Sequence, residues 1–277
     1  MALTAERYAE LTELCRRFRI DVLTAIHKAQ SGHPGGSLSC CEILTYLYQE
    51  HMKLDAAHPD DPDRDRLVLS KGHAAPMLYR NLAEKGFFPV SEMDTLRRMG
   101  GLAGHPSMHV PGVEMPGGPL GQGFPAAQGM AMALKLNGSP AKVYAVLGDG
   151  ELDEGVIWET AMSAPKFKLD NLIAIVDYNK VQLDGTTDEV MPLGDLAAKW
   201  EAFGWTVLEC DGHDLEALDF CISVADGAVG APTVIIANTV KGKGVSFMEG
   251  QCSWHGKAID DDSFAKAMEE LGGAVNA

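Results

Sequence analysis

The chain has 277 residues, 46% of them hydrophobic and 22% charged, and a formal net charge of −16. So acidic a surface repels nucleic-acid phosphates and anionic membranes, which excludes nucleic acid and membrane as expected partners. An anionic ligand must then be held by local geometry, through backbone N–H groups, imidazoles or a metal.

Residues 4–30 read as one amphipathic helix, because Leu11, Leu14, Phe18, Val22 and Ile26 recur at three- and four-residue spacing and Gly32 stands near its end. The run Ser31-Gly32-His33-Pro34-Gly35-Gly36 is too rich in Gly and Pro to continue any helix. Ser39 and Glu42 then form a capping-box pattern that starts a second helix at Ile43, Leu44, Tyr46 and Leu47. An acidic, proline-containing connection over 55–66 leads to a short apolar strand at 67–70. That strand runs into Lys71-Gly72-His73 and a helical stretch to about Lys85. A His-, Gly- and Pro-rich segment from Gly100 to Gly123 precedes an Ala- and Met-rich helix from Ala126 to Leu136. Strands at 142–147, 171–177, 205–210 and 232–238 then alternate with helices near 155–164, 194–203 and 214–228.

The strands are nearly all apolar, which predicts an α/β fold, a parallel sheet with helices on both faces. The tail 258–272 reads as helix, with frayed residues after it. No repeat or low-complexity tract divides the chain, so one domain over 1–277 is expected, with a core of about 10–265. Cys15, Cys40, Cys41, Cys210, Cys221 and Cys252 contain no Cys-x-x-Cys pair, and the vicinal Cys40 and Cys41 suit a disulfide poorly. There is no apolar leader, and no apolar run approaches the ~18 residues of a membrane span. Reduced thiols in a cytoplasmic protein are therefore expected.

The chemistry concentrates at strand ends. One apolar strand runs into Gly148-Asp149-Gly150, and the next runs into Asn179. Neighbouring strands of a parallel sheet share a carboxyl edge where ligands bind, so Asp149 and Asn179 should project oxygens into one small volume. A carboxylate and an amide oxygen suit Mg²⁺ or Ca²⁺ and leave coordination places for phosphate oxygens. Gly148 and Gly150 let backbone approach a diphosphate closely. Alone, Gly-Asp-Gly is a common turn after a strand; the strand-borne Asn179 makes it a ligand site.

Gly117-Gly118-Pro119-Leu120-Gly121-Gln122-Gly123 opens the Ala- and Met-rich helix. Small residues ahead of a helix N-terminus offer N–H groups to an anion without lysine. A close-packed loop with no ligand would read the same way. His33, His73, His105 and His255 each sit beside glycine in loops, where backbone can present an imidazole to a ligand. Imidazoles bind sugar hydroxyls and move protons near neutral pH. Their spacing is too wide and irregular for zinc. A single loop histidine is more often structural, but four in like settings point to a site. His27, His51, His58, His109 and His213 lack the setting and read as structural or surface residues.

Ser31-Gly-His-Pro-Gly, Lys71-Gly-His-Ala, Gly104-His-Pro, Gly118-Pro-Leu-Gly-Gln-Gly, Gly148-Asp-Gly-x-x-x-Glu154-Gly, Asn179-Lys-x-x-x-Asp184-Gly and Trp254-His-Gly stand in one order. In that order the chain resembles the transketolase N-terminal domain, from about residue 10 to 265. The resemblance implies a thiamine diphosphate-binding fold of the diphosphate-binding type. It implies Asp149, Asn179 and the Val181 carbonyl as ligands of Mg²⁺, with Ca²⁺ or Mn²⁺ as alternatives. Gly150, Gly118, Leu120, His73 and His255 take the places of cofactor contacts, together with Asp149 and Asn179. His33, His105 and His255 resemble the residues that face the sugar, bind its hydroxyls and move protons. Glu154 resembles a glutamate at the subunit interface that links paired cofactor sites, and Asp184 one that fixes the polar loop after Asn179.

Two departures bear on function. Single-chain transketolases continue into a pyrimidine-binding domain and a C-terminal domain, whereas this chain ends at Ala277. Those parts carry the glutamate that activates the aminopyrimidine, the aromatic residue stacked on it, and the basic residues that hold sugar phosphate. The resemblance therefore implies the N-terminal subunit of a split transketolase, joined to a separate C-terminal subunit in an α2β2 heterotetramer. Such a pair moves a two-carbon glycolaldehyde unit from a ketose (phosphate) to an aldose (phosphate). Second, Glu151 replaces the small residue expected after Gly150 and brings a further carboxyl beside the diphosphate.

Three rivals share parts of the pattern. The α subunit of a 2-oxo acid dehydrogenase or decarboxylase has Gly-Asp-Gly…Asn but no use for four loop histidines. A deoxyxylulose-phosphate synthase is longer and single-chain. A non-catalytic cofactor-binding module would need only the metal and diphosphate contacts.

Overall fold

The computed structural model describes residues 3–273. The apolar runs form five strands: β1 (Arg66–Leu69), β2 (Val143–Gly148), β3 (Leu172–Tyr178), β4 (Thr206–Asp211) and β5 (Thr233–Asn238). They pair in parallel in the order β1-β2-β3-β5-β4. Ten α-helices connect and flank them, among the described residues. Ahead of the sheet come α1 (Ala5–Ala29), α2 (Pro34–Ser39) and α3 (Cys41–Tyr46), which runs on into a π-helical turn at Leu47–His51. Between β1 and β2 lie α4 (Ala75–Lys85) and α5 (Gly123–Leu136), and between β2 and β3 lies α6 (Gly155–Lys166). The one-turn α7 (Thr187–Val190) and α8 (Leu196–Ala202) precede β4, α9 (Leu215–Asp226) precedes β5, and α10 (Asp261–Leu271) closes the fold.

Alternating strand side chains feed two cores. Tyr144, Val146, Ile173, Ile175 and Ile235 face α1, α3, α4, α9 and α10. Val143, Ala145, Leu147, Leu172, Val176 and Ile236 face α5, α6 and α8. Both faces of β2 and β3 are thus buried, as their unbroken apolar runs require. β4 departs from the expectation: at the sheet edge, Thr206, Glu209 and Asp211 are exposed, because one flank has no neighbouring strand. Among the described residues no helix is long and apolar enough to cross a membrane.

Three local expectations are corrected. α1 is closed by Gln30 in the left-handed region (φ 49°), not by Gly32, and the Gln30 amide donates to the carbonyls of His27 and Ile259. Gly35 and Gly36 are helical rather than loop residues; Pro34 presets the first turn of α2. Glycine is needed there for another reason. A Cβ on Gly36 would stand 2.7 Å from Nε2 of His73, and one on Gly35 3.0 Å from Cγ of Lys241. The Ser39/Glu42 capping box does not form either. The Ser39 hydroxyl donates to Asp177 at 2.6 Å, and Glu42 pairs with Arg19 at 2.7 Å. Burial gives both side chains partners from distant elements that outcompete a local cap. The frayed residues expected past α10 lie outside the described residues.

Candidate functional site

Gly148 of β2 lies opposite Asp177 of β3, so the next residues of both strands emerge side by side at the carboxyl edge of the sheet. Asp149 turns into the cleft, its carboxylate accepting the N–H groups of Gly150 at 2.8 Å and of Lys180. The Asn179 amide donates to the Asp177 carbonyl at 3.4 Å, and its oxygen accepts Val181 N–H at 3.2 Å. These contacts orient both oxygens toward one cleft at the sheet edge. Asp149, Gly150, Asn179, Val181, Leu120, His73 and His255 all line it. The cofactor and metal residues expected from sequence therefore converge, Gly118 excepted. Gly118 packs instead beside the cleft on Gly72, where a Cβ would come within 2.9 Å of its nitrogen.

The charges in this cleft are unbalanced in a specific way. Beneath it, Lys71 and Asp177 form an ion pair with both side chains at 1% exposure or less. Burial, the largest influence on each, works against both charges. Even so, Lys71, Ser39 and Thr239 hold the Asp177 carboxyl below the usual range, and Asp177 holds the Lys71 ammonium above its own. Asp149 has no such partner: it is 3% exposed, and among the described residues no cation lies within ion-pair distance. Burial, reinforced by the Asp177 charge, pushes its pKa up to about 6. Lys241 is the mirror case. It is 2% exposed, has no carboxylate partner among the described residues, and donates to the carbonyl of Val181 at 2.8 Å and to Nδ1 of His255 at 2.8 Å. Burial, with the Lys71 charge, lowers its pKa to about 8.

A buried carboxylate without a cation and a buried ammonium without an anion are each costly. One ligand that brings both charges, a divalent metal on a diphosphate, compensates both. The oxygens of Asp149, Asn179 and Val181 form a hard donor set for such a metal. The residues present therefore fit the group. A competing metal cluster fails the same test. Cys15, Cys41 and Glu42 offer ligand atoms within 4.8 Å of one another, but the Glu42 carboxylate is taken by Arg19 and by His213 at 2.8 Å.

The four glycine-flanked histidines gather at the cleft and its mouth. The His255 ring lies 4.9 Å from that of His73 and 5.7 Å from that of His33, and His105 lies 5.7 Å from His33. Burial, the first cause for each, lowers all four pKa values; neighbouring cations add to it. His33 falls to about 4 and His255 to about 3, while His73 falls well below its ordinary value and His105 falls as well. All four are neutral near pH 7, so each can donate through one nitrogen and accept through the other. That suits sugar hydroxyls and proton movement.

Glu151, the further carboxyl after Gly150, is buried at 2% exposure at the cleft. Its carboxylate accepts Gly121 N–H at 2.7 Å, Gly148 N–H at 2.9 Å and the Ser70 hydroxyl. It ties the glycine loop ahead of α5 to the end of β2, and burial pushes its carboxyl above the usual range. Glu154 does not enter the cleft. It stands exposed at the start of α6, its Cβ beside Gly121, where an added methyl would meet it at 3.0 Å.

His27, His51 and His213 are tied to structural partners: His27 stacks on Phe264 at 4.2 Å, His51 bonds Tyr144 and Asp226, and His213 joins Glu42 to the Val240 N–H. Sequence reasoning missed the roles of Lys71, Lys241 and Asp177. Lys71 stands two residues before His73 in Lys-Gly-His-Ala, a motif that carries no local sign of a buried ion pair. Lys241, in Lys-Gly-Lys-Gly, carried no signal beyond its glycines.

Fold and cleft together define an α/β protein with an oxygen-rich cleft at the carboxyl edge of a parallel sheet. Residues 11–276 match the family described as transketolase, thiamine diphosphate binding domain, and the chain belongs to that family. It is 46% identical to the 6-deoxy-6-sulfo-D-fructose transketolase subunit SqwG of Clostridium sp. (strain MSTE9), over 96% of this chain and 98% of that one. It is 43% identical to an apulose-4-phosphate transketolase subunit of Phocaeicola vulgatus, over 89% of this chain and 88% of that one. Among solved structures, transketolase from Campylobacter jejuni superposes with a TM-score of 0.90 at 34% identity, covering 96% of this chain. The chain spans only 43% of that structure, and 42% of human transketolase, to which it is 38% identical.

Proposed function

We propose that this chain is the N-terminal subunit of a split transketolase. In this reading one domain over 1–277, with its core at about 10–265, binds thiamine diphosphate and a divalent metal, Mg²⁺ or else Ca²⁺ or Mn²⁺. A separate C-terminal subunit supplies the pyrimidine-binding half in an α2β2 assembly in the cytoplasm. The observation that carries the reading is the pair of uncompensated buried charges, Asp149 and Lys241, in one cleft with neutral imidazoles. The match of this chain to relatives named as transketolase subunits, over nearly their full length, supports a separate partner.

Asp149, Asn179 and the Val181 carbonyl hold the metal. Gly150, His73 and His255 face the diphosphate, with the Gly118–Leu120 turn beside the cofactor. When bound, thiamine diphosphate supplies the electron sink for carbon–carbon cleavage of a ketose. The histidines of this chain do the rest on its side of the site. His33 and His105 bind the sugar's hydroxyls, and with His255 they hold or move protons as the two-carbon glycolaldehyde unit passes from ketose to aldose. Glu154, exposed beside the glycine loop, belongs at the subunit interface. Two relatives are named for a sulfo-sugar and a sugar phosphate, so an anionic ketose is the donor class to assay first.

Reconstitution tests the reading. The chain is mixed with a pyrimidine-binding transketolase subunit, thiamine diphosphate and Mg²⁺, and glycolaldehyde transfer from several ketose phosphates is measured. Transfer is expected only in the mixture. Full-rate transfer by this chain alone overturns the split site, and decarboxylation of 2-oxo acids in place of transfer overturns the reaction class.

A further inference from the structure

We propose that Lys241 is a positioning residue that fixes His255 in its Nε2–H tautomer, so that this imidazole always offers the cleft an N–H rather than a lone pair. An ammonium has only donors, and a neutral imidazole has one donor nitrogen and one acceptor. The Lys241 Nζ to His255 Nδ1 contact is 2.8 Å, so Nδ1 must be the acceptor and the ring proton must sit on Nε2.

The lysine cannot turn away. Its other donors are engaged by the carbonyls of Val181 at 2.8 Å and Gln182 at 3.4 Å, and the residue is 2% exposed. Its stem passes over Gly35, where an added Cβ would stand 3.0 Å from Cγ, 3.3 Å from Cε and 2.9 Å from the Trp254 carbonyl. Its backbone is held on both sides, Gly250 N–H donating to the Lys241 carbonyl at 2.9 Å and Gly242 N–H to the Gly35 carbonyl at 3.0 Å. Gly242 itself is left-handed (φ 78°), and a Cβ there would meet the Met248 carbonyl oxygen at 2.5 Å.

The other imidazoles are not set this way. His33 Nδ1 faces the Arg97 guanidinium, also donor-only, but at 3.4 Å and from an exposed side chain free to leave, and among the described residues the rings of His73 and His105 have no hydrogen-bond partner. His255 is therefore a dedicated donor held from a buried position, whereas no buried partner fixes the rings of His33, His73 and His105. A dedicated N–H suits an anionic oxygen, either on a diphosphate or developing on the ketose carbonyl, if the proposed function holds. The tautomer assignment does not depend on that function.

The test is imidazole ¹⁵N NMR on the full chain labelled at histidine, at neutral pH and without cofactor, with His255 assigned by loss of its signal in His255→Asn. The wild-type protein is expected to show His255 protonated at Nε2. In Lys241→Met the ring should move to a tautomer mixture. Lys241→Gln, which keeps an N–H donor, should restore the Nε2–H form. In the reconstituted pair, Lys241→Met should lower kcat/KM about 10- to 100-fold, the range for partners that orient a site residue from behind, with Lys241→Gln recovering part of it. Protonation at Nδ1 in the wild type overturns the proposal, as does an unchanged Nε2–H form in Lys241→Met. The wild-type measurement needs no variant to fold, and no turnover, so its failure is distinct from failure of the proposed function.

Discussion

The Glu151 carboxylate accepts Gly121 N–H at 2.7 Å and Gly148 N–H at 2.9 Å, so one side chain fastens two glycine-rich segments that border the same cleft. Both oxygens are used as acceptors. In Glu151→Gln, one of those positions becomes an NH2 group facing a backbone N–H. That leaves a buried donor unpaired, at a cost of about 1–3 kcal/mol. Urea unfolding of the purified chain checks the loss, and calorimetry should show weaker thiamine diphosphate binding as the loop ahead of α5 loosens.

Lys71 and Asp177 test a different kind of stability. Lys71→Met leaves the fully buried Asp177 without its cation and should destabilise the chain by about 3–5 kcal/mol. Lys71→Met combined with Asp177→Leu removes both charges and should lose less than the single variant. Denaturation midpoints for the two singles and the double close the cycle; additive losses would mean that the pair does not interact.

Asp149 should make metal binding pH-dependent. Burial raises its folded pKa to about 6, against about 3.9 for an unfolded aspartate. In the metal-free chain its ionisation therefore costs stability; the cost sets in as pH rises from about 4 and is complete above about 6. A metal needs the ionised carboxylate, so Mg²⁺ affinity in the presence of thiamine diphosphate should fall as pH drops below about 6. Titration calorimetry from pH 5 to pH 8 measures the slope. Asp149→Asn should bind about 100-fold more weakly or worse and show no such slope, because the group that titrates is gone.

His33 and His73 should separate substrate from cofactor. The His33 ring sits between those of His73, His105 and His255 but does not line the cleft, whereas His73 does. In the reconstituted pair His33→Ala should raise KM for the ketose about 10-fold, the scale of one lost hydrogen bond, with the thiamine diphosphate Kd unchanged. His73→Ala should weaken the cofactor Kd instead. With His33 at about 4 and His255 at about 3, neither side chain should produce a step in kcat/KM between pH 6 and pH 8.

Hydrophobic periodicity in the sequence was enough to locate β1 to β5 within a residue, and with them the parallel sheet. It also placed Asp149 and Asn179 at neighbouring strand ends that open on one cleft, because a side chain's place at the end of an apolar run is a local property. Local rules failed at α2 and at the Ser39/Glu42 cap, where glycine and polar residues answer to neighbours far along the chain. Those neighbours are Lys241 and His73 for the glycines, and Asp177 and Arg19 for the polar pair. The charge balance of the cleft was settled only by tertiary structure. Whether a buried Lys or Asp has a counter-ion depends on which strand ends and loops pack together, and dielectric screening drops only once they do. The order β1-β2-β3-β5-β4 puts Lys71 under Asp177, leaves Asp149 without a cation, and sets Lys241 behind His255.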